Sequence, residues 1–208
     1  MEIIIASSNL GKVKEFNSIA KDIKFTTIKE CCPDIVFDPE ETGSTFQENA
    51  MIKAQAAVQL LQSLDCHVAN APGNNDIVIM SDDSGIEIEA LDGRPGIYSA
   101  RYLREHGLAG LLAELGGNPN RKCRFVCHIT LVNSQGELVF ETEQYWTGTI
   151  THAPRGEKGF GYDPIVIPDQ YKEENKTVAE LDDEIKSQIS HRAQALLACL
   201  PEMISSIN

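Results

Sequence analysis

A chain of 208 residues with 42% hydrophobic and 24% charged side chains can bury a full core and falls where one domain is commoner than two. Its formal net charge of -13 leaves no general basic face for counterion release, which argues against a nucleic-acid polymer as partner. A small anionic ligand stays compatible only in a pocket where local lysines and a metal ion override the acidic surroundings.

The start, Met1-Glu2-Ile3-Ile4-Ile5-Ala6, has no basic stretch and too short an apolar run for a signal peptide, and nothing further along approaches a membrane span. Ile3 to Ala6 reads as a first strand, Ser7 to Lys12 as a loop, Lys12 to Ala20 as a helix and Phe25 to Ile28 as a second strand. Thr45-Phe46-Gln47-Glu48 is a capping box, and Phe46, Ala50, Ala54, Ala57, Val58 and Leu61 then keep helical spacing. Cys66 to Asp76 contains Asn-Ala-Pro-Gly-Asn-Asn, which predicts an exposed loop. It precedes an apolar strand, Ile77-Val78-Ile79-Met80, ending in Ser81-Asp82-Asp83-Ser84-Gly85. Paired acids at the end of a buried strand are unfavourable unless a cation, most simply a metal ion, is bound there; the alternative is an Asx-type turn.

Ile86, Ile88 and Ala90 alternate with Glu87 and Glu89, predicting a half-buried strand closed by Asp92-Gly93. Lys122 to Val132 and Glu137 to Tyr145 alternate on either side of Asn133-Ser134-Gln135-Gly136, an antiparallel hairpin, so the sheet is expected to be mixed. Thr177-Val178-Ala179-Glu180 is a second capping box, opening a helical tail in which Ile189, Ala193, Leu197 and Leu200 share a face. The six cysteines have neither zinc spacing nor a secreted disulfide pattern, so reduced thiols in a cytoplasmic protein are expected. No linker divides the chain, and a single domain over residues 1–208 is the reading.

Several segments carry possible chemistry. Ser7-Ser8-Asn9-Leu10-Gly11-Lys12 lies between a strand and a helix, where backbone N–H groups and a lysine favour an anion, although it lacks the glycine spacing of a Walker loop. Glu40-Glu41-Thr42-Gly43 is an acidic turn ahead of the capped helix, and Lys53 follows one turn after Glu48 and Asn49. In Gly159-Phe160-Gly161-Tyr162-Asp163-Pro164 two glycines bracket an aromatic, leaving Phe160 or Tyr162 to stack on a flat ligand and Asp163 to make a polar contact; a structural turn reads equally well. Ser190-His191-Arg192 places polar donors on the helix side away from Leu197 and Leu200.

These motifs occur in one order: Ser7-x-Asn9-x-x-Lys12, Glu40-Glu41-Thr42-Gly43-Ser44-Thr45-Phe46 with Glu48-Asn49-Ala50 and Lys53, Ser81-Asp82-Asp83-Ser84-Gly85, Gly93-x-Pro95-Gly96-Ile97-Tyr98-Ser99-Ala100-Arg101, Gly159 to Pro164, and Lys186-Ser187-x-x-Ser190-His191-Arg192. From Ile3 to about Leu200 the chain closely resembles the inosine/xanthosine triphosphate pyrophosphatase family. The resemblance implies an α/β fold with a long mixed central sheet flanked by helices, two lobes with a cleft between them, and a homodimer. It implies hydrolysis of deaminated purine nucleoside triphosphates to monophosphate and pyrophosphate with Mg2+. By motif, Glu40 and Asp83 would ligate the metal and Asp83 would be the proton acceptor. Ser7, Ser8, Asn9, Leu10, Gly11, Lys12, Lys53, Ser84, Phe160, Gly161, Tyr162, Asp163, Lys186, His191 and Arg192 would hold the nucleotide. Ser8 stands where a Gly is common, and the segment from about Leu64 to Ile79 looks longer than usual.

The chemistry of the residues agrees. A triphosphate entering a site made of acids needs a hard cation bridging carboxylates and phosphate oxygens, with lysines neutralising the remainder. Other readings are a phosphatase of the haloacid-dehalogenase type, for which the Asp-x-Asp spacing is missing, a septum-associated nucleotide pyrophosphatase, whose Ser-Pro-Arg-Arg-like loop is absent, and a non-catalytic nucleotide sensor.

Overall fold

A computed structural model describes residues 2–7, 9–63 and 78–205. The first strand, β1 (Glu2–Ile5), continues after Glu2 as an apolar run in which Ile3, Ile4 and Ile5 are fully buried. That pattern belongs to a strand covered on both faces, and β1 pairs in parallel with β2 (Lys24–Thr27) on one side and β3 (Val78–Ile88) on the other. Helix α1 (Leu10–Ile19) makes the crossover from β1 to β2. β2 stops one residue earlier than its pattern suggested, because Thr27 caps the short α2 (Ile28–Cys31) in a box closed by Glu30.

Helix α3 (Phe46–Ser63) buries Phe46, Ala50, Ala54, Ala57, Val58 and Leu61, as the spacing predicted. Thr45 Oγ1 accepts from the Glu48 N–H, but the Glu48 carboxylate accepts from the N–H and hydroxyl of Ser44, so the expected box is displaced by one residue. The loop expected over Cys66 to Asp76, like Ile77, lies outside the described residues.

The largest departure concerns β3. The sequence reading ends one strand at the acidic pair, as a cation site or an Asx-type turn, and starts another at Ile86, yet one strand of 11 residues runs from Val78 through both aspartates to Ile88. Its first half is held by β1, and residues 86–87 by the short β4 (Pro95–Gly96). Long-range pairing at both ends overrides the local turn preference of Asp-Ser-Gly.

Helix α4 (Ser99–Leu115) had no counterpart in the sequence reading. Gly107, at φ 65 and ψ -178, breaks it into two short pieces, neither long enough for a clear helical period. β5 (Lys122–Asn133) and β6 (Leu138–Ile150) form the expected hairpin, with Asn133 Oδ1 accepting from the N–H groups of Gln135 and Glu137. β6 continues past Tyr145 and pairs antiparallel with β7 (Val166–Pro168). The mixed sheet is ordered β2-β1-β3-β5-β6-β7, with β4 added on β3.

The tail also differs. The Thr177 capping box closes a 3-10 turn over residues 178–180 and not an α-helix. Two helices follow, α5 (Asp183–Ile189) and α6 (His191–Ser205), separated by extended Ser190, whose Oγ accepts from the Ala193 N–H. α6 starts afresh and buries Ala193, Ala195, Leu196, Cys199 and Met203; Ala193 is inside as expected, but Leu197, expected on the same face, is 47% exposed.

The chain packs as two compact units. The first comprises Met1–Asp83, His128–Glu143 and Ala195–Asn208, around Ile4, Ala54, Val58, Leu61, Ile79 and Val132. The second comprises Ser84–Cys127 and Gln144–Gln194, around Ile86, Leu111, Phe125, Trp146, Ile165 and Val178. Among the described residues no helix is long and apolar enough to cross a membrane.

Candidate active site

In the first unit the loop after β1 is built as a helix cap. Asn9 Oδ1 accepts from the N–H groups of Gly11 and Lys12 at 3.0 and 3.3 Å, and Ser7 Oγ accepts from the Asn9 N–H. Leu10 therefore opens α1 and Lys12 stands in its first turn, its Nζ 2.8 Å from Asp82 Oδ2. Ser8 lies outside the described residues.

From α3 come Asn49 and Lys53, four residues apart and so on one face. Lys53 Nζ lies 2.7 Å from Glu41 Oε1 and 3.2 Å from Asp83 Oδ1. Asn49 Nδ2 donates to Asp83 Oδ2 at 3.2 Å, while its own Oδ1 accepts from the Gly43 N–H, which orients the amide. Asp82, Asp83 and Lys53 are all buried. Three carboxylates thus meet two ammonium groups in a poorly solvated place. Burial pushes the Asp83 carboxyl above the usual carboxylate range and Glu41 adds to the push, against the pull of Lys53 and Lys12. Burial alone would lower Lys53, but the carboxylates of Asp83, Asp82 and Glu41 more than reverse it, and its ammonium is held above the ordinary value. The two directions have different origins, burial for Asp83 and the surrounding carboxylates for Lys53, and a cation added beside Asp83 would favour its ionised form.

The donors are hard oxygens, which suits Mg2+. Among the described residues no three of His, Cys, Asp and Glu are gathered into a cage, and Mg2+ commonly takes one or two carboxylates and completes its shell with water and substrate phosphate. Asp83 and the Glu40-Glu41 pair are the residues able to hold it. Glu40, the expected ligand, is exposed; its neighbour Glu41 is the one that reaches Lys53.

The second unit gathers the other expected residues. Arg192 Nη2 donates to Ser84 Oγ at 3.0 Å. Asp163 Oδ2 accepts from the Phe160 N–H and from Lys186 Nζ, both at 2.8 Å, which pins the glycine loop to α5. Gly159, at φ 73, is required there, since a Cβ would run into the Asp163 carboxylate. Phe160 is left 38% exposed, with Lys186 Nζ 4.7 Å and Arg192 Cζ 5.6 Å from its ring centroid. An exposed aromatic face beside two cations suits a flat, acceptor-rich ring.

Two expectations change here. Tyr162 offers no ring for stacking: it is buried, its hydroxyl donates to the Ser99 carbonyl at 2.8 Å, and burial pushes its phenol up. His191 and Arg192, expected on a solvated helix side, are 5% and 3% exposed, because the Ser190 break turns the first residues of α6 inward. His191 stacks on Phe125, 4.9 Å between centroids and 10° between planes.

Sequence reasoning gave no role to Glu41, Asn49 or Phe125. Asn49 was findable, being one turn before Lys53 on the same face. Nothing local separates Glu41 from Glu40, and Phe125 reads as an ordinary strand residue.

The sequence pattern of the Ham1 family matches residues 3–202. A dITP/XTP pyrophosphatase of Staphylococcus aureus is 41% identical over 201 residues, covering 94% of this chain and 92% of that protein. One from a Nostoc species is 38% identical over 210 residues, covering 99% and 96%. Among solved structures, the Staphylococcus aureus Ham1 protein superposes with a TM-score of 0.76 at 38% identity, covering 99% of this chain and 98% of that one. A HAM1 protein from Coxiella burnetii gives 0.75 at 34% identity, covering 99% of each.

Proposed function

This chain belongs to the Ham1 family, and on that premise we propose that it hydrolyses deaminated purine nucleoside triphosphates, those of inosine, deoxyinosine and xanthosine, to the monophosphate and pyrophosphate. The observation that carries the reading is the buried cluster on β3: Asp82 and Asp83 beside Lys12, Lys53, Asn49 and Glu41, with both lysines within ion-pair distance of carboxylates.

Mg2+, when bound through Asp83 and the Glu40-Glu41 pair, would neutralise phosphate charge and lower the pKa of a coordinated water. The protein's own groups do the rest. Lys12 and Lys53 attract the phosphate oxygens, Asn9 fixes the helix start that carries Lys12, and Asp83 accepts the proton of the attacking water while Asn49 fixes the carboxylate's orientation. Such a site works chiefly by positioning and charge stabilisation. In the second unit Phe160 offers its face to a purine, Asp163 and Lys186 hold its loop, and His191 and Arg192 supply donors. Donors suit the acceptor oxygen that deaminated purines carry at position 6, where adenine carries an amino group; discrimination by a required hydrogen bond reaches roughly 10⁴ to 10⁵. The free thiols among the described residues support a reducing, cytoplasmic setting, and the working form is taken to be a homodimer, as the family resemblance implies.

The test is a panel of ITP, dITP, XTP, ATP and GTP with separate detection of pyrophosphate and orthophosphate, with Mg2+ and with a chelator. Pyrophosphate from the deaminated nucleotides, lost on chelation, is expected. Orthophosphate would point to a phosphatase, and binding without turnover to a sensor. Arg192→Ala should narrow the ratio of kcat/KM between ITP and ATP.

A further inference from the structure

The His191 imidazole lies in a buried cluster of three aromatic rings. Phe125, on β5, lies nearly parallel to it at 4.9 Å; Trp146, on β6, lies 6.4 Å from it at 24° and 6.1 Å from Phe125. The indole is itself anchored, its Nε1 donating to Gln170 Oε1 at 3.0 Å. All three rings are buried, with 5%, 6% and 2% exposure for His191, Phe125 and Trp146. Phe125, Trp146 and Gln170 take no part in the chemistry described above.

The geometry has a specific mechanical effect. An imidazole is free to turn about its Cβ–Cγ bond, and turning swings both ring nitrogens through an arc. With the phenyl face nearly parallel to it at 4.9 Å and the indole at 24° and 6.4 Å, rotation gives up stacked contact with both rings at once. The plane in which the nitrogens point is therefore favoured by residues of the core. A hydrogen bond discriminates between ligands only as well as its donor is held, because a donor that can swing away pairs with water when the wrong ligand is present.

We propose that Phe125 and Trp146 are positioning residues for base selection, holding the His191 imidazole in the plane from which it meets the purine 6-oxygen. The proposal rests on the reading of His191 as a base-contacting donor, and the experiment separates the two. kcat/KM for ITP and for ATP is measured for the full chain and for Phe125→Leu, Trp146→Phe and His191→Ala, together with melting temperatures and the His191 ring-proton resonances.

Phe125→Leu, which removes the flat face, is expected to lower the ITP:ATP ratio by about tenfold, mainly through KM for ITP, with ATP turnover nearly unchanged. Trp146→Phe keeps an aromatic face and should keep most of the ratio. In the wild-type protein the ring currents of Phe125 and Trp146 should displace the His191 ring protons upfield, and Phe125→Leu should reduce the displacement to the share that Trp146 supplies. A folded Phe125→Leu protein with the wild-type ratio, when His191→Ala has lost it, overturns the positioning role and leaves the base reading intact. A wild-type ratio in His191→Ala overturns the base reading and the positioning role together. Should Phe125→Leu not fold, undisplaced His191 resonances in the wild type overturn the proposal, and displaced resonances support it.

Discussion

Replacing Asp83 by Asn separates what the carboxylate does for the fold from what it does for the reaction. Asparagine keeps the size but only one of two acceptors: Lys53 Nζ donates to Asp83 Oδ1 and Asn49 Nδ2 to Oδ2, both at 3.2 Å, so the amide loses the charge and one accepted hydrogen bond. The cluster then passes from three carboxylates against two ammonium groups to two against two. Burial already holds the Asp83 carboxyl above its ordinary range, so the ionised form is electrostatically strained in the folded protein. Relief of the burial penalty and loss of one accepted hydrogen bond act in opposite directions, each by about 1–2 kcal/mol, and largely offset each other. In a chain of this length each kcal/mol moves Tm by about 2–4 °C, so the variant should melt within roughly 4 °C of wild type. Turnover has no such offset: loss of the proton acceptor and a metal ligand should lower kcat by roughly 10² to 10⁴. Thermal melting without nucleotide, alongside pyrophosphate release from dITP at saturating Mg2+, reads both effects on one preparation. A Tm lower by more than about 8 °C would make the ionised carboxylate a net stabiliser of the fold and refute the burial argument, and turnover within about tenfold of wild type would remove Asp83 from the mechanism.

Lys186→Met strips the buried Asp163 carboxylate of its ammonium partner at 2.8 Å and should destabilise by about 3–5 kcal/mol, much of it recovered in the double variant with Asp163→Asn; a melting cycle over the four proteins measures the coupling. Gly159→Ala forces a Cβ against the Asp163 carboxylate at a positive φ, so it should destabilise by about 1–3 kcal/mol and raise KM for dITP more than it lowers kcat; unchanged kinetics would separate the loop from the substrate. The Thr177 backbone N–H holds the Glu180 carboxylate below its ordinary range, so this bond stabilises above the unfolded pKa and fades as pH falls through the lower folded one. The Tm gap between wild type and Glu180→Gln should accordingly be full at neutral pH and close between about pH 5 and pH 3; a gap that widens in acid would reverse the sign of the argument.

The parts of the fold legible in the sequence are those where local and long-range preferences agree. Ile3 to Ile5 of β1 are an apolar run, and the alanine-rich face of α3 keeps its period over the whole helix; α1 was legible too, although it starts at Leu10, capped by Asn9, and not at Lys12. Where tertiary pairing overrides a local signal, the reading fails. Asp-Ser-Gly says turn, and β1 and β4 keep β3 extended through it; Gly107 says helix break, and α4 forms on both sides of it. The site follows the same rule. Asp83, Lys12 and Lys53 stand out because charge beside buried apolar residues is conspicuous, whereas Glu41 and Glu40 differ only in which way each faces. The burial of His191 and Arg192 depends on a one-residue interruption at Ser190, and no pattern of apolar residues announces it.

The chain has a single tryptophan, and it is the one in the aromatic cluster. Excitation at the red edge of protein absorption therefore reports on Trp146 alone, with no labelling and no background from the first unit. The indole is 2% exposed, so its emission wavelength and intensity report the integrity of the core around it. Equilibrium denaturation followed this way describes the second unit only. A denaturation midpoint that differs from the one given by far-ultraviolet circular dichroism would mean that the two units lose their structure separately.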